Sequence, residues 1–341
     1  MASRVETSPD LRLPNSGDAA IAFWATGPGA GELRPEPLRE TRPGEVRVRT
    51  LFTGVSRGTE TLVMRGAVPE SEWERMRSPF QDGAFSFPVK YGYLNVGVVE
   101  EGPDALVGRK VFALFPHQSA FVVPANAVVL VPHAVPPRRA VLAGAVETAV
   151  NVLWDAGPRL GDAVAIVGAG MIGSAIATLA AQIPGVEVTL VDIDPAKRGV
   201  AAELGVSFAH PDDAVRDYDI VIEASGTGDG LAVALRIAAT DGEVVVASWY
   251  GSAPLQVELG ADFHSRRLTL RSSQVGDVAQ VRRGLRTTRQ RLQLALRLLE
   301  DPTFDTLLGG NSDWSELPSV MAALAQGDAG SLCHTIDWSH R

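Results

Sequence analysis

The stretch "VAIVGAGMIGSAIATLAAQ", Val164 to Gln182, decides the fold. It opens with an apolar β-favouring run, passes through a glycine turn, and continues in helix formers with no proline until Pro184. Strand, turn and helix in that order open a βαβ unit. Gly168, Gly170 and Gly173 stand as G-x-G-x-x-G. In a chain with 34 glycines the spacing alone says little; its place between strand and helix makes it specific. The first glycine permits the tight turn, the second admits a pyrophosphate, and the third lets helix and strand pack closely. The unpaired N–H groups of the helix start then face the phosphates. Gly168, Ala169, Gly170, Met171, Ile172 and Gly173 are therefore the expected cofactor turn. Asp192 ends the next apolar run, "VTLVDID", at roughly the 20-residue offset of the acid that binds the adenosine ribose. A carboxylate there accepts two ribose hydroxyls and repels a 2′-phosphate, so NAD is expected rather than NADP. The alternative for Asp192 is a helix N-cap. Lys197 is either a ribose or phosphate contact or a surface lysine.

Outward from this unit, strand and helix patterns alternate: "YDIVIEASG", "GLAVALRIAAT" and "GEVVVASWYG" follow. Continuous apolar strands between amphipathic helices predict a parallel sheet covered on both faces. Before it, residues from about Ile21 to Pro136 carry short β-rich runs punctuated by Gly and Pro. "EVRVRTLFTGV", "VGVVEEG", "RKVFALF" and "SAFVVPANAVVLVP" are the clearest. They predict a rolled sheet or partial barrel. "RAVLAGAVETAVNVLWDA" has helical period, as do "RLQLALRLLE" and "ELPSVMAALAQG", and "SLCHTIDW" closes as a strand. Gly66 to Lys90 is expected as a loop or short helix over the pocket.

The bulk quantities exclude several classes. The chain has 341 residues, 45% hydrophobic and 21% charged, long enough for two domains. A net charge of -9 argues against a nucleic-acid surface; the basic run Arg282 to Arg297 is expected as a solvated helix face. No stretch is apolar enough to span a bilayer. The polar start, Met1 to Ala20, is read as a loose tail and not a secretory signal, and a cytoplasmic setting is expected. The single cysteine, Cys333, permits no intrachain disulfide and no four-cysteine zinc site, and is expected as a buried hydrophobe in a late strand.

With the order of parts established, the chain resembles the medium-chain dehydrogenase/reductase superfamily over almost its whole length. "GYLNVGVVEEGP" resembles that superfamily's G-H-E-x-x-G-x-V-x-x-x-G segment, and "LVGRKVFAL" its G-D-R-V strand. "GAVETAVNVLWDA" is similar to the helix that carries a glutamate in polyol-dehydrogenase-like members. "FDTLLGGNSDWSELPSVMAALAQGDAGSLCHTIDW" resembles the C-terminal return. "GVSRGTETLVMRG" resembles G-I-C-G-[ST]-D-x-x-x-x-x-G, and its S-x-G-T-E form resembles the bacteriochlorophyllide dehydrogenase branch locally. The resemblance implies an α/β fold with a β-rich GroES-like catalytic domain over residues 1–147. A Rossmann doubly wound parallel-sheet cofactor domain would follow over 148–288, with a return to the catalytic domain over 289–341.

The departures carry the functional expectation. Zinc-dependent members hold their catalytic metal with a Cys, a His, and a Cys or Glu. Here the Cys position falls on Ser56 or Arg57, and Gly-His-Glu becomes Gly92-Tyr93-Leu94. Only Glu147 keeps a ligand-like identity. Neutral serine and tyrosine are poor zinc ligands. His117, His133, His210 and His264 have no motif partner and are expected as structural or surface residues. No metal site is therefore expected. An alcohol–carbonyl interconversion then needs another group to hydrogen-bond the substrate oxygen and exchange its proton. Tyr93 is the first candidate, the alternative being an aromatic that fills the vacated metal pocket. Glu147 is a proton carrier or orienting group, or else a buried ion-pair partner of Arg57. Thr59 and Ser56 are candidate relays.

The resemblance also implies that "ASWYGS" lies along the nicotinamide, with Ser225 and Trp249 at the cofactor and Tyr250 at the substrate, or as plain core packing. Arg266 or Arg267 would hold a carboxylate or phosphate, or sit solvated at an edge; Ser273 and Gln274 are candidate substrate contacts. The expected function is a zinc-independent NAD-dependent oxidoreductase interconverting an alcohol and a ketone or aldehyde. The alternatives are a quinone or enoyl-type double-bond reductase and a dinucleotide-binding protein without turnover. The expected partners are a small-molecule substrate and a second copy of the chain, with no nucleic acid or membrane.

Overall fold

The computed structural model describes residues 19–327 and 332–339; the N-terminal tail, but for Ala19 and Ala20, lies outside them. Among the described residues the chain has a two-domain α/β architecture built on three sheets. The parallel sheet contains six strands in the spatial order Ser207–Ala209, Glu187–Val191, Ala163–Val167, Tyr218–Glu223, Ala238–Val246, Thr269–Ser272. All its pairings are parallel. Chain order reverses between Ala163–Val167 and Tyr218–Glu223, and the crevice beyond those two strand ends is where doubly wound sheets bind nucleotides. Val164, Ala165, Ile166, Val221 and Ile222 are buried. This is why these strands read as unbroken apolar runs.

The β-rich part forms a mixed sheet around the long strand Glu45–Val55. Its first half alternates half-buried Arg with buried Val because one face meets the core and the other solvent. Asn95–Glu101 pairs with one edge of that strand. On the other lie Ala120–Pro124 and the returning C-terminal strand Cys333–Asp337, whose His334 faces Val55 and whose Asp337 faces Phe52. "SAFVVPANAVVLVP" proves to be two strands, Ala120–Pro124 and Val128–Leu130, split by a 3-10 turn at Ala125–Ala127. Pro124 lacks the N–H that would continue the ladder. The Gly66 to Lys90 stretch holds a 3-10 turn at Glu70–Glu72. It also holds two short strands, Asp82–Gly83 and Val89–Lys90, that pair with each other; the second also joins Ala19–Gly27.

The helix Ala143–Ala156 joins the two parts. It packs on the glycine-turn helix Met171–Ala180 and on Thr288–Leu298. Its core cluster holds Leu94 and Val141 from one side and Ile166 and Ile176 from the other. A second cluster, under the β-rich part, takes in Trp314, Ile336 and Trp338, with Trp73, Tyr93 and Trp249 packed against it. Among the described residues no helix is long and apolar enough to cross a membrane.

Candidate active site

The glycine turn shows its three demands in space. Gly168 has φ +102, and a Cβ there would lie 2.6 Å from the Ser225 backbone nitrogen. A Cβ on Gly173 would lie 1.9 Å from the Gly168 carbonyl oxygen. A side chain at either position would displace backbone. A Cβ on Gly170 would meet nothing within 4 Å, so open space lies over the turn. Gly170 caps the helix without any side-chain bond, leaving the first N–H groups of Met171–Ala180 available. Asp192 stands at the mouth of this turn. Its Oδ2 accepts from the Ala169 N–H at 2.7 Å and its Oδ1 from the Asp194 N–H at 2.9 Å. Both oxygens are held by one bond each and keep lone pairs for further donors. Lys197 opens the helix Lys197–Glu203, partly buried.

Opposite the turn, Ser225 is gathered around a carboxylate that sequence reasoning missed. Glu223, fully buried at the end of its strand, accepts from the Ser225 N–H at 2.7 Å and the Ser225 hydroxyl at 2.5 Å. Its other oxygen accepts from the Tyr250 hydroxyl at 2.6 Å. Burial, reinforced by Glu223, pushes the Tyr250 phenol well up, so it is a neutral donor. The Ser252 N–H donates to the Ala67 carbonyl at 3.1 Å. The segment carrying Trp249 and Tyr250 is thereby tied to the β-rich part.

Tyr93 sits between the two cores. Burial together with the Glu60 charge pushes its phenol up to about 12, and the neighbouring Ser56 and Thr59 hydroxyls oppose the shift. Three of the four predicted catalytic residues therefore meet. Glu147 takes a different partner from the one the sequence suggested: the Arg291 Nε–H donates to it at 3.1 Å, both side chains buried, and Arg57 has no part in the pair. Burial raises the Glu147 carboxyl, and Arg291 opposes the shift. His117 is not isolated as expected. Its Nε2 lies 2.7 Å from Glu60 Oε1 and its Nδ1 2.7 Å from Thr53 Oγ1, with all three residues buried. The only sequence signal for Glu60 was its place at the end of G-T-E.

The remaining candidates are occupied in the fold. Arg266 donates to the carbonyls of Arg236 and Ala238 and pairs with Asp262. Arg267 pairs with Asp241. The Ser273 hydroxyl donates to Asp155 at 2.6 Å, and the Gln274 side chain accepts from the Gly276 N–H at 2.7 Å. These contacts anchor loops and helix ends. Cys333 is fully buried in its strand, and burial pushes its thiol up to about 12.

Known proteins resemble this chain in sequence and in fold. Residues 172–290 match the family described as "Zinc-binding dehydrogenase". The chain is 30% identical over 252 residues to 2-desacetyl-2-hydroxyethyl bacteriochlorophyllide A dehydrogenase of Cereibacter sphaeroides, covering 67% of this chain and 74% of that one. The chain belongs to the medium-chain dehydrogenase/reductase superfamily. It is an oxidoreductase of the dehydrogenase kind. Two solved members share its fold at low identity. Acetophenone reductase of Geotrichum candidum, in complex with NAD, superposes with a TM-score of 0.76 at 17% identity, covering 95% of this chain and 98% of that one. A chain of Sinorhizobium meliloti 1021 named as a zinc-binding dehydrogenase, bound to NADP, superposes at 0.75 and 19%, covering 94% and 100%.

Zinc is part of the superfamily's description, and the donors in this member do not fit it. Neither Ser56 nor Arg57, the two residues that can match the Cys position, nor Tyr93 at the His position supplies a thiolate or imidazole, and the Tyr93 phenol is pushed up to about 12. Leu94 is buried core, packed on Gly144 and Gly54. Glu147 is bound to Arg291. The glycine turn, its free helix N–H groups and Asp192 do fit a dinucleotide.

Proposed function

We propose that this protein is a zinc-independent, NAD(H)-dependent oxidoreductase that interconverts an alcohol and a ketone or aldehyde. The observation that carries the reading is the neutral Tyr93 phenol beside the Ser56 and Thr59 hydroxyls; in sequence, these residues resemble the metal-ligand segments of zinc-dependent members. A bound nicotinamide supplies or accepts the hydride equivalent. The chain's residues do the rest. The N–H groups opening Met171–Ala180 and the turn Gly168 to Gly173 bind the pyrophosphate. Asp192 takes the ribose hydroxyls, and its negative charge favours NAD over NADP. Ser225 and Trp249 flank the nicotinamide end. Tyr93, kept protonated by burial, donates to the substrate oxygen as negative charge develops there. Ser56 and Thr59 return the proton to Tyr93 from solvent. Glu147, neutralised by Arg291, steadies the helix behind them.

This assignment is tested by following NADH oxidation, with NADPH in parallel, over a panel of ketones and aldehydes and a panel of enones. Turnover of carbonyls with NADH supports the reading. Turnover of enones alone with NADPH overturns it. We propose further that two copies pair along the open edge of the six-stranded sheet, strand Thr269–Ser272, where Leu270 is 38% exposed.

A further inference from the structure

Beside Tyr93 lies a hydrogen-bonded chain that ends on Ser56 and whose other members, Thr53, His117 and Glu60, have no part in the proposed reaction. Thr53 is 0% exposed, Glu60 1%, His117 1% and Ser56 4%. The Trp338 indole N–H donates to Thr53 Oγ1 at 3.0 Å. The Thr53 hydroxyl lies in hydrogen-bond contact with His117 Nδ1 at 2.7 Å, and His117 Nε2 with Glu60 Oε1 at 2.7 Å. The second carboxylate oxygen accepts from the Ser56 backbone N–H. Thr53, His117, Glu60 and the Ser56 backbone thus form one continuous run of hydrogen bonds. A carboxylate held this far from water is costly unless the groups around it are fixed in place.

The pair grips both sides of the candidate site. Glu60 holds Ser56 by its backbone and adjoins Thr59 in the chain. His117 holds the other side by contact. Gly92 has φ +133, and a Cβ there would lie 2.9 Å from His117 Cδ2, so the imidazole rests against the backbone just before Tyr93. Ser56, Thr59 and Tyr93 are the three residues whose hydroxyls meet. Glu60 also acts electrostatically on Tyr91, Tyr93 and Cys333.

We propose that Glu60 and His117 are positioning residues: this buried carboxylate–imidazole pair fixes Ser56 on one side and the Gly92–Tyr93 backbone on the other, so that phenol and hydroxyls meet the substrate oxygen together. The inference rests on the Tyr93 reading above. Its test is a double-mutant cycle between E60Q and Y93F, read as kcat and as NADH affinity. Glutamine has the shape of glutamate and can still accept from Ser56, but removes the charge. E60Q lowers kcat about 10- to 100-fold, the cost of misplacing a reacting group by about an ångström. It leaves NADH affinity within about twofold. In a Y93F background the same substitution has no further effect on kcat, because it acts through Tyr93. A merely structural residue would cost the same factor again in that background, and that result overturns the proposal. So does an E60Q enzyme with unchanged kcat beside a crippled Y93F. Should E60Q fail to fold, H117Q put through the same cycle decides between these outcomes. A fully active Y93F protein would refute the Tyr93 reading itself, and this inference with it.

Discussion

Tyr93 and Asp192 carry the chemistry expected of single residues. Y93F removes only the hydroxyl proposed to donate to the substrate oxygen, so kcat should fall about 10²- to 10⁴-fold, the usual worth of a general acid. NADH affinity, measured by nicotinamide fluorescence, should stay within about twofold because the cofactor turn is on other residues. The pH dependence has a definite sign. Burial raises the Tyr93 phenol to about 12, so it remains the protonated donor through neutral and mildly alkaline pH. D192A removes a carboxylate whose two oxygens are already oriented by backbone N–H groups. Its loss should weaken NADH about 10-fold or more, the worth of a hydrogen bond to a charged group, and narrow the preference over NADPH. A titration with both cofactors checks it. At this scale the sequence was legible where local backbone geometry dictated the residue. The three glycines are required by contacts within their own turn. The pairing of Glu60 with His117 was not legible: the partners lie 57 positions apart, and His117 belongs to no motif. Nor was the partner of Glu147, which lies 144 positions away. Such pairings are set by how helices and strands pack, which spacing along the chain does not record.

At the scale of elements, the helix Ala143–Ala156 packs between the two parts, and Arg291 is its fastening. The guanidinium donates to Glu147, to Asn151 and to the carbonyls of Val275 and Asp277. R291M strands the Glu147 charge in the interior and should cost about 3–5 kcal/mol, as breaking a buried pair does, read by urea unfolding. The pH sign follows from the raised Glu147 carboxyl. The folded state holds that proton more tightly than the unfolded chain, so stability is lost as pH rises from the ordinary value of 4.5 toward the raised one. Without Arg291 the carboxyl rises further, so the R291M deficit should shrink as pH falls through that raised range, where the stranded carboxyl takes up its proton. Most elements were legible from periodicity: "EVRVRTLFTGV" is the strand Glu45–Val55 residue for residue. The split of "SAFVVPANAVVLVP" was not, because its apolar run continues through a proline whose missing N–H ends the ladder.

At the scale of the whole molecule, the order of parts follows from two facts of the chain. The parallel sheet is contiguous in sequence, and the C-terminal strand Cys333–Asp337 returns to pair with Glu45–Val55. Tyr93 and Trp249 meet in one cluster across the join, so the candidate site forms where the parts close on each other. The open edge at Thr269–Ser272 is where the proposed dimer forms. L270E should shift the protein from dimer to monomer in light scattering, with the cofactor affinity retained. A parent protein already monomeric at working concentration would remove that proposal.

Zinc independence is tested most sharply by the steady-state rate with NADH and a carbonyl substrate after exhaustive dialysis against a zinc chelator. The expected result is an unchanged rate in the parent protein and a rate at least about 10²-fold lower in Y93F under the same conditions. A parent rate that vanishes on chelation and returns with added zinc would contradict the role given to Tyr93.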